Sequence, residues 1–288
     1  MRARVVLVVA AIAAGIAAVS VTATLTHSAA SPVHTGEPLA FAVIGDNGTG
    51  EKPQYEVAEQ MARWRARVPF EFVIMLGDNM YGRQEPTDFV AKFERPYAAL
   101  LDAGIPFFAS LGKHDKQDNR TYPPFNMRSE RYYTFSRNGV RFFVLDTNLL
   151  DAAQLTWFQD ALAHSTEAWK IAYFHHPLYS DSRRHGSQLE LRVTLEPLLV
   201  KHGVSVVFSG HDHSYERFKP QQGITYFLAG SGGQLRRGDI SPTPLTAAYF
   251  DQEQAFMVVE IVGDEMRFQT ISRTGQVVDS GVIPRRTS

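Results

Sequence analysis

The sequence predicts an α/β fold of the α+β sandwich kind, in which two stacked mixed β-sheets are flanked by helices in four layers. Short continuous apolar runs alternate with segments whose apolar residues recur at helical spacing, which favours parallel strands covered by helices. The middle and the end of the chain also contain hairpin-like strand pairs. Because hairpins need antiparallel partners, two stacked sheets accommodate the whole pattern better than one doubly wound sheet.

The first part of the predicted domain alternates strands with helices. Its apolar runs of strand length lie at residues 39–45, 72–77 and 106–112. Between the first two, residues 54–68 carry apolar side chains at helical spacing, and Pro53 stands where the start of a helix tolerates proline. Residues 87–101 are predicted to be helical, with a break at Pro96.

The rest of the chain predicts a hairpin, two helices and a series of further strands. In residues 131–146, two apolar runs are separated by Arg137-Asn138-Gly139, which is a typical hairpin turn. Helices are predicted at residues 151–165 and 189–203. Strands are predicted at residues 170–175, 204–210, 223–230, 255–263, 265–272 and 275–283.

The N-terminal segment is not expected to belong to this fold. A short basic region precedes an apolar run, Val5 to Val19, and small residues follow it. This pattern predicts a secretory signal peptide over residues 1–30, a linker over 31–38 and one domain over 39–288, exported to the periplasm or the extracellular space. The alternative is an uncleaved membrane anchor, because the run, counted to Leu25, approaches the roughly 20 residues of a spanning helix.

The composition narrows the classes of function. The chain has 29 lysines and arginines against 30 aspartates and glutamates, a formal net charge of −1. The basic residues are scattered, so we expect no nucleic-acid partner. There is no cysteine, which excludes disulfides and thiolate metal sites.

Five apolar strands end in residues that can bind metal ions. These strand ends are Gly45-Asp46-Asn47-Gly48, Gly77-Asp78-Asn79-Met80-Tyr81, Gly112-Lys113-His114-Asp115, Phe174-His175-His176-Pro177 and Gly210-His211-Asp212-His213. Taken singly, a Gly-Asp pair is more often a plain turn, and the two adjacent histidines before proline could be a packed turn. Ligands gather at the carboxyl ends of strands in α/β sheets, and carboxylates brought together there repel one another unless cations are present. The set therefore predicts a metal centre.

The order and residue types of these motifs resemble the calcineurin-like metallophosphoesterases, and among them the small single-domain purple acid phosphatases of the tartrate-resistant type. The family pattern is GDxG, GDxxY, GNH[DE], VxxH and GHxH, and the resemblance extends from Leu39 to Gly238. Tyr81 separates the purple acid phosphatases from related phosphoesterases that lack this tyrosine. Ala172 replaces the valine of the fourth motif, where the side chain only packs in a strand.

The resemblance implies a binuclear metal centre with six ligands. Fe(III) would be held at the first position by Asp46, Tyr81 and His213, a divalent Fe, Zn or Mn at the second position by His175 and His211, and both ions by the bridging Asp78. The residue types agree with this division, because carboxylate and phenolate oxygens suit Fe(III) whereas imidazoles suit a borderline divalent ion.

The third motif departs from the family pattern at Lys113. The family has asparagine there, and its amide completes the second metal position. A protonated lysine cannot coordinate a metal, and its charge repels a dication, so the change implies a weakened second position. We therefore expect the chain to tend towards one tightly held metal, although Asp115, Asp118 or Asn119 could partly compensate by moving in.

Three further residues are candidate catalytic groups. His114 follows a strand end, where its ring could donate a proton to the leaving oxygen, and Asp115 could orient that ring. The alternative for His114 is that it only helps the loop to fold. His185 resembles a second histidine that the family places near the substrate.

The expected activity is hydrolysis of a small phosphate monoester by a metal-bound hydroxide. Two alternatives stay open at this point. One is a phosphodiesterase acting on nucleotides or lipid head groups, with the same metal set. The other is a phosphate- or metal-binding protein that has lost turnover, and Lys113 is the feature that favours it.

Overall fold

The protein is described by a computed structural model that covers residues 37–286. The predicted signal peptide and the predicted linker up to residue 36 lie outside the described residues. In the part that the structure describes, no helix is both long enough and apolar enough to cross a membrane.

The described part consists of strands and helices in the order that the sequence predicts, with additions. The strands are β1 (Leu39–Ile44), β2 (Phe72–Met75), β3 (Phe107–Ala109), β4 (Tyr133–Arg137), β5 (Val140–Val144), β6 (Trp169–Phe174), β7 (Val206–Ser209), β8 (Tyr215–Phe218), β9 (Thr225–Ala229), β10 (Thr246–Phe250), β11 (Ala255–Val262), β12 (Glu265–Ser272) and β13 (Val277–Pro284). The α-helices are α1 (Lys52–Arg65), α2 (Pro86–Phe89), α3 (Ala98–Asp102), α4 (Ala152–Ala163) and α5 (Leu189–Lys201). A π-helical turn, Val90–Glu94, continues α2, and the helix ends before α3 at the predicted break, Pro96. Short 3₁₀ turns occupy Gln117–Thr121 and Pro123–Phe125.

The strands form two mixed sheets. The first has the order β13-β12-β11-β1-β2-β3, and the second has the order β10-β8-β9-β7-β6-β5-β4. Parallel pairing joins β1, β2 and β3 in the first sheet, and β5, β6, β7 and β9 in the second. The predicted hairpin is confirmed, since Asn138 and Gly139 connect the antiparallel strands β4 and β5.

Two strands, β8 and β10, were not predicted from the sequence. β8 has only four residues, which is too short for a clear periodic signal. β10 lies at the edge of the second sheet, and its residues alternate between half-buried and exposed. Both strands depend on antiparallel pairing with each other, and β8 also pairs with β9. This pairing is a tertiary contact that the local sequence does not encode.

Three groups of buried apolar side chains hold the layers together. One lies between the sheets, where Phe41 packs edge-on against Phe142 with ring centroids 5.3 Å apart. The second joins the outer face of the first sheet to α1 through Met61. The third joins the outer face of the second sheet to α4 and α5 through Phe158 and Leu199. The predicted four-layer sandwich is therefore confirmed.

The loops that follow the parallel strands of both sheets meet at one edge of the sandwich. The loops after β1 and β2 touch, because the Asp46 amide donates a hydrogen bond to the Gly77 carbonyl at 3.0 Å. The loops after β6 and β7 touch in the same way, since the Gly210 amide donates to the His175 carbonyl at 2.9 Å. The fold thus places four of the five strand-end motifs side by side in two pairs.

Candidate metal centre

The buried carboxylates of Asp46 and Asp78 share one hydroxyl group. The Tyr81 Oη lies 2.9 Å from Asp46 Oδ1 and 3.1 Å from Asp78 Oδ2. The His213 Nε2 lies 3.3 Å from the same hydroxyl and 3.6 Å from Asp46 Oδ1. Four side chains from three motifs therefore converge on one small volume.

Two further imidazoles adjoin Asp78. The His175 Nδ1–H donates to the Leu76 carbonyl at 3.0 Å, which directs Nε2 towards Asp78 Oδ2 at 3.3 Å. The His211 Nδ1 lies 3.3 Å from that same Nε2. The His211 backbone amide also donates to Asp46 Oδ2 at 2.8 Å. Asp78 consequently contacts both the tyrosine group and the histidine group.

The backbone is strained where it presents these ligands. Asp46, Asp78 and His211 have left-handed φ values of 53°, 51° and 77°, a conformation that costs about 1–3 kcal/mol for a residue other than glycine. Gly112 closes the third loop directly over the second, because a Cβ on Gly112 would lie 2.0 Å from the Asp78 amide nitrogen. This strain and close approach fix the direction of the carboxylates.

Burial and mutual charge shift the protonation of the cluster. Burial raises the pKa of Asp46 well above its usual value, although the charge of His175 opposes the shift. Burial, and then the two carboxylates, also raise the pKa of the Tyr81 phenol beyond its usual range. Burial disfavours the charged form of His175, but attraction to Asp78 outweighs it and raises the pKa of His175 to about 9. These shifts indicate that the two buried carboxylates favour positive charge beside them.

A metal ion fits this arrangement. Among the described residues, the ion pairs of Asp46 and Asp78 are all with histidines, at 3.3 Å from His175, 3.6 Å from His213 and 3.9 Å from His114. Buried carboxylates without a permanently charged partner are costly. The ligand atoms of Asp46, Asp78 and His175 lie within 4.8 Å of one another. These residues have the burial, charge and donor atoms that a bound cation requires.

The two histidines predicted to be catalytic lie at the edge of this cluster. The His114 amide donates to Asp78 Oδ1 at 2.6 Å, while its side chain is 45% exposed and its ring lies 4.7 Å from the Tyr81 ring. The exposed His185 has its ring 4.5 Å from the ring of His211. Both rings are accessible from solvent and adjoin residues of the cluster.

The expectation that Asp115 orients the His114 ring is corrected by the structure. The Asp115 Oδ2 accepts hydrogen bonds from the amides of Gly112 and Asn79 at 2.8 and 3.1 Å, and Oδ1 accepts from the Met80 amide at 3.0 Å. Desolvation, and then the charge of Asp78, raises the pKa of this carboxyl to about 7. Asp115 therefore holds the second and third loops together instead of contacting the ring.

Lys113 is exposed at the histidine side of the cluster. Burial and then neighbouring positive charges, including Lys113, lower the pKa of His211 to about 2 and that of His176 to about 3. The residues expected to compensate are engaged elsewhere or exposed. The Asn119 side-chain Nδ2 donates to Gln84 Oε1 at 2.8 Å, and Asp118 is exposed.

His176 lies in the cluster, although the sequence analysis assigned it no ligand role and left a packed turn open for the two adjacent histidines. Its ring centroid lies 4.5 Å from that of His211 and 4.9 Å from that of His175. One ligand atom from each of these three histidines lies within 4.8 Å of the other two. The repeated histidine after β6 was the signal that could have identified it.

Comparisons with known proteins agree with the family that the five motifs resemble. The Calcineurin-like phosphoesterase family matches residues 39–215. Tartrate-resistant acid phosphatase type 5 from Rattus norvegicus is 26% identical over 86% of this chain and 91% of its own length.

Two solved structures share the fold. The purple acid phosphatase PPD1 from yellow lupin superposes with a TM-score of 0.73 at 18% identity, over 88% of this chain and 55% of that chain. GAP50, the anchor in the inner membrane complex of Plasmodium, has the same TM-score at 20% identity, over 87% of this chain and 90% of its own. With its motifs, fold and family match in agreement, this chain belongs to the calcineurin-like phosphoesterase family.

Proposed function

We propose that this protein hydrolyses phosphate monoesters of small molecules at a binuclear metal centre. The observation that supports this most directly is the buried pair of carboxylates, Asp46 and Asp78, whose ion-pair partners among the described residues are all histidines. The similarity to acid phosphatases along most of the chain favours monoesters over diesters. We expect no nucleic-acid partner.

The proposed ligands fall into two groups that share Asp78. Asp46, Tyr81 and His213 would hold Fe(III), and His175 and His211 would hold a divalent Fe, Zn or Mn. Metal ions in such a centre lower the pKa of water and neutralise the charge of a phosphoryl group. The protein contributes the fixed direction of the ligands, through the strained backbone and the loop contacts of Asp115.

The residues at the edge of the centre would act on the substrate. His114 presents an exposed ring next to Tyr81, where it could donate a proton to the leaving oxygen of the ester. His185 and Lys113 adjoin the histidine side, where an imidazole and an ammonium group could bind phosphoryl oxygens. Substrate binding would therefore use residues that are not metal ligands.

The test is hydrolysis of p-nitrophenyl phosphate and of bis(p-nitrophenyl) phosphate by metal-loaded protein. We expect the monoester to be hydrolysed with the larger kcat/KM, and chelator-treated protein to be inactive. Faster hydrolysis of the diester would instead identify a phosphodiesterase. Hydrolysis of neither by protein with measured, bound metal would identify a binding protein and contradict the proposal.

We also propose that the chain is exported after cleavage of its N-terminal segment. The basic and apolar pattern of residues 1–30 supports this. N-terminal sequencing of the protein from its native host is expected to give a start between about Val21 and Pro32. A chain that begins at Met1 in a membrane fraction would show an anchor instead.

A further inference from the structure

We propose that His176 supplies the metal ligand that Lys113 cannot, so that the second metal position is a site of three imidazoles: His175, His176 and His211. The inference rests on the proposed binuclear centre, because it concerns the divalent ion of that centre. It does not depend on turnover of any substrate.

The proposal is supported by the distances among the three imidazole rings. The His175 Nε2 and the His211 Nδ1 face each other at 3.3 Å. The His176 ring lies against both other rings, with one ligand atom from each residue within 4.8 Å of the others. Three imidazole rings brought this close and partly shielded from water gain little from one another, whereas a shared divalent ion would use all three, in their neutral form, as donors.

Thr147 orients the His176 ring. The Thr147 Oγ1 lies 2.9 Å from His176 Nδ1 and accepts a hydrogen bond from the His176 amide at 3.1 Å. This contact occupies Nδ1 and leaves Nε2 for a metal ion. A histidine whose second ring nitrogen is held by a neighbouring polar group is the usual arrangement for a metal ligand, because the contact fixes the tautomer and the direction of the ring.

The side chains of Asp115 and Asn119, which lie near Lys113 in the chain, already form other hydrogen bonds. Asp115 accepts hydrogen bonds from three backbone amides, and the Asn119 side-chain Nδ2 donates to Gln84 and to Asp115. Moving either residue to the second position would leave buried donors unsatisfied. His176 needs no such rearrangement, because its ring already lies beside His175 and His211.

The use of His176 in place of the family's asparagine changes which metal ions the second position prefers. Replacing an amide oxygen by an imidazole favours borderline ions such as Zn²⁺ over hard ions. The ammonium group of Lys113 still repels a dication, so the affinity should be lower than that of the same three imidazoles beside a neutral residue. Lys113 and His176 would then be functionally coupled.

A double-mutant comparison of metal content tests this coupling. Protein is loaded with iron and zinc, separated from free metal by gel filtration, and analysed by mass spectrometry for metal per chain. The variants are His176→Ala, Lys113→Asn and the double variant. His185→Ala is the matched control, because its ring lies at the same 4.5 Å from His211 as that of His176.

We expect wild type to hold two metals per chain. His176→Ala should hold one, because the affinity of its second position for zinc should fall at least about 100-fold. Lys113→Asn should bind zinc more tightly than wild type. The double variant should regain the second metal, because the asparagine amide replaces the lost imidazole. His185→Ala should keep both metals.

Cobalt substitution gives a readout that does not depend on stoichiometry. The visible absorption of Co²⁺ at the second position should change in His176→Ala and not in His185→Ala, since only the former alters the ligand set. Circular dichroism establishes that each variant is folded, and His176→Leu, which has no donor atom, serves if the alanine variant does not fold.

Two bound metals in folded His176→Ala, or a wild type that holds only one, would overturn the inference. Failure of Lys113→Asn to restore the metal would also overturn it, since a purely structural role of His176 predicts no rescue. Loss of the proposed activity is a separate outcome. Protein that shows the expected metal contents but hydrolyses neither nitrophenyl ester would refute the proposed function and leave the three-imidazole site supported.

Discussion

Replacement of Asp78 by alanine is expected to remove metal binding and to lower kcat/KM for p-nitrophenyl phosphate by about a thousandfold or more. The Asp78 carboxylate contacts side chains of both ligand groups, with Tyr81 Oη at 3.1 Å and His175 Nε2 at 3.3 Å from Oδ2. Its Oδ1 also accepts the His114 amide at 2.6 Å. Its loss therefore affects both metal positions and the loop that presents His114.

The stability of the Asp78→Ala variant should depend on metal in a specific way. A ligand that binds only the folded state adds about 3–4 kcal/mol of stability at concentrations 100- to 1,000-fold above its dissociation constant. We expect added metal to raise the melting temperature of wild type and to leave that of the variant almost unchanged.

Metal analysis, the nitrophenyl assay and thermal unfolding measure these effects together. Asp118→Ala is a suitable control, because Asp118 is exposed on the same loop as Lys113 and His114. Normal metal content together with full activity in Asp78→Ala would be incompatible with a binuclear centre at this position.

Replacement of Tyr81 by phenylalanine is expected to abolish the visible colour of iron-loaded protein. A ferric ion accepts charge from a phenolate ligand, and this transfer gives the purple to pink colour that we expect for wild type. Burial and the two carboxylates raise the pKa of Tyr81 beyond its usual range, so that the metal-free phenol stays protonated at any physiological pH. Only a strongly charged cation between the carboxylates would produce the phenolate, and the colour therefore reports a trivalent ion.

The same substitution should weaken iron binding. It removes the hydroxyl that lies between Asp46 and Asp78, at 2.9 and 3.1 Å, and leaves the buried carboxylates without that partner. The expected loss of stability in metal-free protein is about 1–3 kcal/mol.

Tyr133→Phe is the matched control for Tyr81→Phe. The Tyr133 hydroxyl donates to the Ala109 carbonyl at 2.8 Å, so its loss should leave the colour intact. Absorption spectra and iron content of the two variants make the comparison. A colourless iron-loaded wild type, or an unchanged spectrum in Tyr81→Phe, would show that Tyr81 does not bind the metal.

Prediction from the sequence succeeded where the residue pattern of a short segment is sufficient to identify its secondary structure. Continuous apolar runs marked the central strands, because a strand buried on both faces needs an apolar side chain at every position. Asn138 and Gly139 marked the hairpin, because both adopt a left-handed backbone easily. The candidate metal ligands were selected for a related reason, since their motifs follow such strands.

Prediction failed where the role of a residue depends on a distant partner. Asp115 was expected to contact the neighbouring His114, but it binds the amides of Asn79 and Met80, which lie 36 and 35 positions away. β8 and β10 escaped detection because their pairing, and not their residue pattern, makes them strands.

The sequence alone determined the fold class, the family resemblance and the residues from which a metal centre would be built, because these follow from local patterns and their order. The tertiary structure decided which of those residues meet. Asp46 and Asp78 follow strands of the first sheet, whereas His175 and His211 follow strands of the second, and only the stacking of the two sheets brings them within bonding distance. It also decided the surroundings of Lys113, since the ring of His176 lies against His211 only because β6 and β7 are neighbours in the second sheet.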